Sequence, residues 1–150
     1  MENKKNKLLT GFTIIELIVV IAIVAVLASI VLVNVTKYIN KGKDAAIKGD
    51  LSTLATNAII YYDDTSKGNG DYSGFTADTT IGCNSPISTA ITNAGGSLVC
   101  AETATTGAAW CGCSQLKDDT TKYFCVDSTG ARKESTTTCT TSCTTASPDC

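Results

Sequence analysis

Few residue types in this chain could do chemistry. Eight cysteines, Cys83, Cys100, Cys111, Cys113, Cys125, Cys139, Cys143 and Cys150, all lie in its second half. One carboxylate, Glu16, stands inside an apolar run, and two acidic pairs, Asp63-Asp64 and Asp118-Asp119, stand in turn-like stretches. There is no histidine, which removes Ser-His-Asp and Cys-His nucleophiles and every imidazole metal site. Thiolate zinc sites favour cysteines with roughly two to four residues between them. Cys139 and Cys143 fit that spacing loosely, whereas Cys111-Gly112-Cys113 does not. An even number of cysteines outside the apolar run reads instead as disulfides formed in an oxidising compartment. Eight cysteines allow roughly a hundred pairings, so the connectivity stays open. Cys111 and Cys113 are too close in sequence to bridge each other without strain and are expected to find different partners. The acidic pairs could hold Ca²⁺ weakly, but solvated turns are the preferred reading. No phosphate loop is present, because Gly68-Asn69-Gly70 and Gly95-Gly96 lack the Lys and Ser/Thr that complete one. The residues imply no catalytic group, no metal and no cofactor.

These groups must be carried by recognisable elements. The 150 residues are enough for one domain and an appendage. Residues 12–35 are almost wholly apolar, and Leu17 to Val33 carries no charge. As a helix this stretch would be about 36 Å long, against a hydrocarbon core of about 30 Å. Lys4, Lys5 and Lys7 precede it, and Lys37, Lys41, Lys43 and Lys48 follow, so basic residues alone do not orient it. The cysteine-rich side does, since disulfides need the oxidising side. No Ala-x-Ala site closes a short apolar core, unlike an ordinary secretory signal. No proline interrupts residues 12–62. Leu51, Leu54, Ala55, Ala58, Ile59 and Tyr62 follow helical spacing, which extends the helix to about 50 residues with an amphipathic second half. Gly42 and Gly49 each cost it about 1 kcal/mol relative to Ala. Asp44 and Lys48 are expected to form an exposed i,i+4 pair.

Residues 63–71 end the helix with strong turn signals at Gly68, Asn69 and Gly70. A short helix is expected near Pro86–Asn93, with strands at Ser97–Ala101, Ala108–Leu116, Lys122–Asp127 and, at an edge, Ala131–Ser135. Trp110, Tyr123 and Phe124 read as core side chains. The Thr/Ser-rich tail from Thr136 would be disordered without Cys139, Cys143 and Cys150 to pin it. From Asp63 onward there are five Lys or Arg against ten Asp or Glu, an acidic balance that speaks against nucleic-acid binding.

The basic leader ending in Gly11, followed by Phe12-Thr13-Ile14-Ile15-Glu16-Leu17 and a long apolar helix, resembles the type IV pilin family, which includes the pseudopilins of type II secretion. The resemblance covers residues 4–35. It implies cleavage between Gly11 and Phe12 by a prepilin peptidase, N-methylation of Phe12, and an assembly role for Phe12 with Glu16, fifth in the mature chain. The expected fold is α+β and pilin-like, with a long N-terminal helix on a small antiparallel sheet and a disulfide-stapled C-terminal region. Residues 1–11 would be a cleaved leader, 12–35 a membrane and filament-core helix, 36–62 its amphipathic continuation, and 63–150 the exported globular region. The implied function is a structural subunit of a surface filament rather than an enzyme. Its partners would be identical or homologous pilin subunits, prepilin peptidase, the pilus assembly or secretion machinery, and the inner membrane before assembly. A pseudopilin or minor pilin is the alternative within the family. A membrane-anchored, cysteine-rich binding domain is the alternative outside it. Two features depart from the common pattern: many pilins have a proline within the N-terminal helix and only two cysteines.

Overall fold

The computed structural model describes residues 11–103, 106–146, 148 and 150, and Lys4, Lys5 and Lys7 lie outside the described residues. The chain divides into two compact units, residues 1–37 and 38–150. One helix, α1 (Ile14–Asp63), contributes to both and runs through Gly42 and Gly49 as helix.

In the first unit no described side chain is buried. Ile18, Val19, Ile23, Val24, Leu27 and Val31 are all exposed. The helix is long and apolar enough to cross a membrane, and none of its most apolar window is covered by protein. Its few polar side chains are satisfied by the helix itself. Ser29 Oγ donates to the Val26 carbonyl at 2.7 Å, Asn34 Nδ2 to Ile30 at 3.2 Å and Thr36 Oγ1 to Leu32 at 3.2 Å. Such back-bonding is what polar groups require where water is absent.

In the second unit, α1 packs on an antiparallel sheet of four strands: β1 (Leu98–Glu102), β2 (Trp110–Gln115), β3 (Tyr123–Asp127) and β4 (Arg132–Ser135). The strands follow in sequence order, as short hairpin connections favour. Helix α2 (Pro86–Asn93) has the expected bounds, with proline in its first turn. A short helical turn, α3 (Cys139–Ser142), was not expected from sequence.

Both faces of the sheet are covered, and β2 shows it. Trp110, Cys111, Gly112, Cys113 and Ser114 are all buried, which alternation in a one-sided sheet would forbid. Trp110 belongs to the core between sheet and α1, with Ile47, Leu51, Leu54, Ala58, Tyr61, Phe75, Ile91 and Val126. Aromatic rings close one end of it, with the Phe75 and Trp110 centroids 4.9 Å apart. Cys111 and Cys113 belong to the opposite face, with Ala101, Cys125, Cys139 and Cys143. There the tail stands in for an apolar layer.

Two expectations about α1 require correction. Ile59 and Tyr62 are exposed, and the buried stripe is instead Ile47, Leu51, Leu54, Ala55, Ala58 and Tyr61. Ile59 stands about 100° around the helix from Ala58 and misses the sheet. The Tyr62 ring lies 5.1 Å from the Tyr72 ring between centroids. Asp44 does not pair with Lys48. It is buried, and its carboxylate accepts the backbone N–H groups of Lys117 and Asp118 in the β2–β3 hairpin. Lys48 pairs with Glu134 on β4. A carboxylate that satisfies two turn amides does more for the fold than an exposed i,i+4 pair worth a few tenths of a kcal/mol.

Candidate functional site

Gly11, Phe12 and Thr13 precede the helix, and all three are exposed. Phe12 keeps 78% of its surface, and a Cβ added at Gly11 would meet nothing. The helix begins immediately afterwards for a local reason. Thr13 is its N-cap and Glu16 its third residue. The Glu16 amide donates to Thr13 Oγ1 at 3.3 Å, while the Thr13 amide donates to Glu16 Oε2 at 2.9 Å. The Thr13 hydroxyl adds a donor bond to the same oxygen at 2.7 Å. This reciprocal arrangement is a capping box, and it satisfies two amides that otherwise lack helical partners.

The carboxylate singled out from sequence is therefore held by Thr13, a residue to which sequence reasoning assigned no role. Thr13-x-x-Glu16 is itself a capping-box signature, so the signal was present. Phe12 and Glu16 line one shallow groove with Ile15 and Val19. The Phe12 nitrogen is in a peptide bond with Gly11, so no amine is available there to pair with Glu16.

All eight cysteines are in disulfides: Cys83–Cys100, Cys111–Cys143, Cys113–Cys139 and Cys125–Cys150. Cys111 and Cys113 do take different partners. Their side chains emerge on one face of β2, about 6.6 Å apart along a strand. Cys139 and Cys143 bracket α3, about 6 Å apart along a helix at four-residue spacing. The two spacings match, so a helical turn is stapled twice to a strand. Cys125 lies directly across from Cys113 in the β2–β3 register and holds Cys150. Asp127 reinforces that bond. Its Oδ2 accepts the Cys150 amide at 2.9 Å, and its Oδ1 accepts the Thr129 and Ala131 amides. Burial alone would raise the Asp127 carboxyl, but the Thr129 hydroxyl and these amides overcome burial and hold it below the usual carboxylate range.

The acidic pairs form turns. Asp64 Oδ1 accepts the Ser66 amide and hydroxyl, and Asp119 Oδ1 accepts those of Thr121. No cluster of three or more metal-ligating side chains occurs among the described residues. The chain matches no family model, no curated protein and no solved structure. The resemblance at residues 4–35 therefore rests on its own residues.

Two features set the chemistry open to the molecule. One is an accessible junction at Gly11–Phe12 ahead of a capped helix. The other is a membrane-length apolar helix attached to a disulfide-bonded α+β unit.

Proposed function

We propose that the chain is a structural subunit of a type IV pilus-like filament, cleaved after Gly11 and assembled through the helix that begins behind Phe12. The observation that carries this reading is the sequence Gly11-Phe12-Thr13-Ile14-Ile15-Glu16 at the mouth of a 50-residue helix whose apolar first part is bare of protein contacts. A peptidase needs extended, exposed backbone at its cut, and Gly11 to Thr13 are non-helical and exposed. Cleavage creates an ammonium at Phe12, one helical turn from Glu16. In an apolar bundle of such helices a charge without a partner is heavily penalised, so the amine and the carboxylate fix the axial register of each added subunit. Apolar side chains that faced lipid then face other helices, which leaves packing and the charge pair to set specificity. A contact repeated head to tail without closing makes a helical filament. On this reading the protein is not an enzyme. It is a single-pass membrane protein before assembly and lies in a surface filament afterwards.

The test is the N-terminus of the exported protein together with surface filaments seen by electron microscopy. The expected mature chain starts with N-methyl-Phe12. An intact Met1 after export overturns the filament reading and favours the anchored binding domain. Glu16→Gln separates the two roles of the carboxylate. Glutamine keeps an acceptor for the Thr13 amide but carries no charge, so the helix should form and insert while filament yield falls about tenfold or more. Normal filaments from this variant would refute the register mechanism.

A further inference from the structure

A polar cavity of about 320 Å³ opens between α1 and the β2–β3 hairpin. Lys41, Lys48, Lys122, Asp118, Asp119 and Glu134 line it. Its walls are tied down from both sides. Asp44 anchors the hairpin to α1 through the Lys117 and Asp118 amides. Lys48 anchors β4 through Glu134, with its ammonium 5.9 Å from the centre of the Phe124 ring. Leu116, 2% exposed, closes the floor.

Two charges in this cavity are left over. Among the described residues, neither the Lys41 ammonium nor the Asp118 carboxylate has an ion-pair or hydrogen-bond partner. Lys122 is held only loosely, at 3.9 Å from both Asp119 and Glu134. A simple anion would satisfy Lys41 and Lys122 but meet the carboxylates of Asp118, Asp119 and Glu134. A simple cation would satisfy Asp118 but meet the lysines. A ligand that carries both an anion and an ammonium serves both unpaired groups. Phosphate suits the two lysines as a multi-acceptor anion, and a primary ammonium can donate to the carboxylates.

The place of the cavity in the chain points to a source for such a ligand. Lys41 is six residues beyond Val35, the last residue of the apolar run. Six residues reach about 9 Å as helix and no more than about 20 Å when extended. The polar layer outside the hydrocarbon core is itself about 5–7 Å deep on each side. We propose that the cavity binds a phosphate–ammonium zwitterion, the phosphoethanolamine head group of a membrane lipid, with Lys41 and Lys122 on the phosphate and Asp118 on the ammonium. This rests on residues 12–35 spanning a membrane. It gives the stored subunit a lipid contact beyond its apolar helix.

Native mass spectrometry of the full-length protein in detergent tests this, with phosphatidylethanolamine, phosphatidylcholine and phosphatidylglycerol added in turn. Retention of one phosphatidylethanolamine per chain is expected, about tenfold over the other two. Trimethylation removes the donors that face Asp118, and a glycerol head group has no cation. Lys41 and Asp118 are both exposed, so Lys41→Ala and Asp118→Asn should leave the thermal midpoint unchanged and abolish the preference. Equal retention of the three lipids, or a preference that survives both variants, overturns the site. Free phosphoethanolamine and inorganic phosphate distinguish the sources by NMR titration. Weak binding of free phosphoethanolamine beside firm lipid retention supports the lipid. Equal affinity for both forms supports the zwitterion site but overturns the lipid as its source, and inorganic phosphate binding as well as phosphoethanolamine overturns the ammonium contact. A flat lipid result on a chain starting with N-methyl-Phe12 sinks only this proposal, whereas lipid retention on a chain with intact Met1 sinks only the filament reading.

Discussion

Carboxylates in this protein work mainly by gathering donors, and their individual surroundings decide what each one does. Glu16 accepts two bonds from Thr13 and closes the helix start. Asp78 is the more heavily bonded case. Its Oδ1 accepts the Thr80, Ile81 and Gly82 amides and the Thr80 hydroxyl, and its Oδ2 pairs with Lys67. Burial alone would raise its pKa, but the Lys67 ammonium, the Ile81 amide and Thr80 overcome burial and hold the carboxyl far below the usual range. A carboxyl depressed by folding contributes stability that is complete above its unfolded value, about 3.9. The contribution fades as pH falls from there toward the folded value. Asp78→Asn should therefore cost about 2 kcal/mol at neutral pH, the scale of a hydrogen bond to a charged group. The gap to the native protein should narrow progressively below about pH 4. Urea titrations of both proteins from pH 7 to pH 2 measure this, and a gap independent of pH would show that the charge contributes nothing.

The helices and strands divide between patterns that a sequence displays and contacts that it conceals. The bounds of α1 and α2 and all four strands follow from apolar periodicity and turn residues, and the structure moves them by only one or two positions. Two details are set by the partner element. The sheet covers one side of α1, so Ile47 and Tyr61 are buried while Ile59 is exposed, and the hairpin loop removes Asp44 from the solvent. The glycines show the same dependence on a partner. A Cβ at Gly49 would meet nothing, whereas one at Gly112 would lie 3.2 Å from both Leu54 and the Trp110 ring. Gly49→Ala should stabilise the protein by about 1 kcal/mol through helix propensity. Gly112→Ala should destabilise it by about 1–3 kcal/mol, because β2 could no longer approach α1 without displacing core side chains. Denaturant titrations of the detergent-solubilised chain should give these opposite signs. Equal effects would mean that the distance between α1 and β2 does not constrain the core.

For the molecule as a whole, the unanswered point in the sequence is why a tail so poor in apolar residues folds at all. Composition identified disulfides but left their pairing open, because pairing depends on which strand face meets which part of the tail. The spacing allows two pairings once Cys139–Ser142 is a helical turn, and the direction of the tail chooses between them. Two residues along a strand and four along a helix cover nearly the same distance, which pairs Cys113 with Cys139 and Cys111 with Cys143 as the tail runs back along β2. Peptide mapping without reduction should recover those two bridges, together with Cys83–Cys100 and Cys125–Cys150. The exchanged pairing of Cys111 with Cys139 and Cys113 with Cys143 would reverse the tail and overturn the layer it forms. The bridges should also differ in what they protect. The core against α1 includes Cys83 and Cys100 but none of the other six. Replacing both Cys125 and Cys150 by serine should cost about 3 kcal/mol through the freed loop and expose the tail to proteolysis, with the helix–sheet core still folded. Replacing both Cys83 and Cys100 should lower stability by a similar amount while leaving the tail resistant. Loss of tail protection in the second variant would mean that the two faces of the sheet unfold as one.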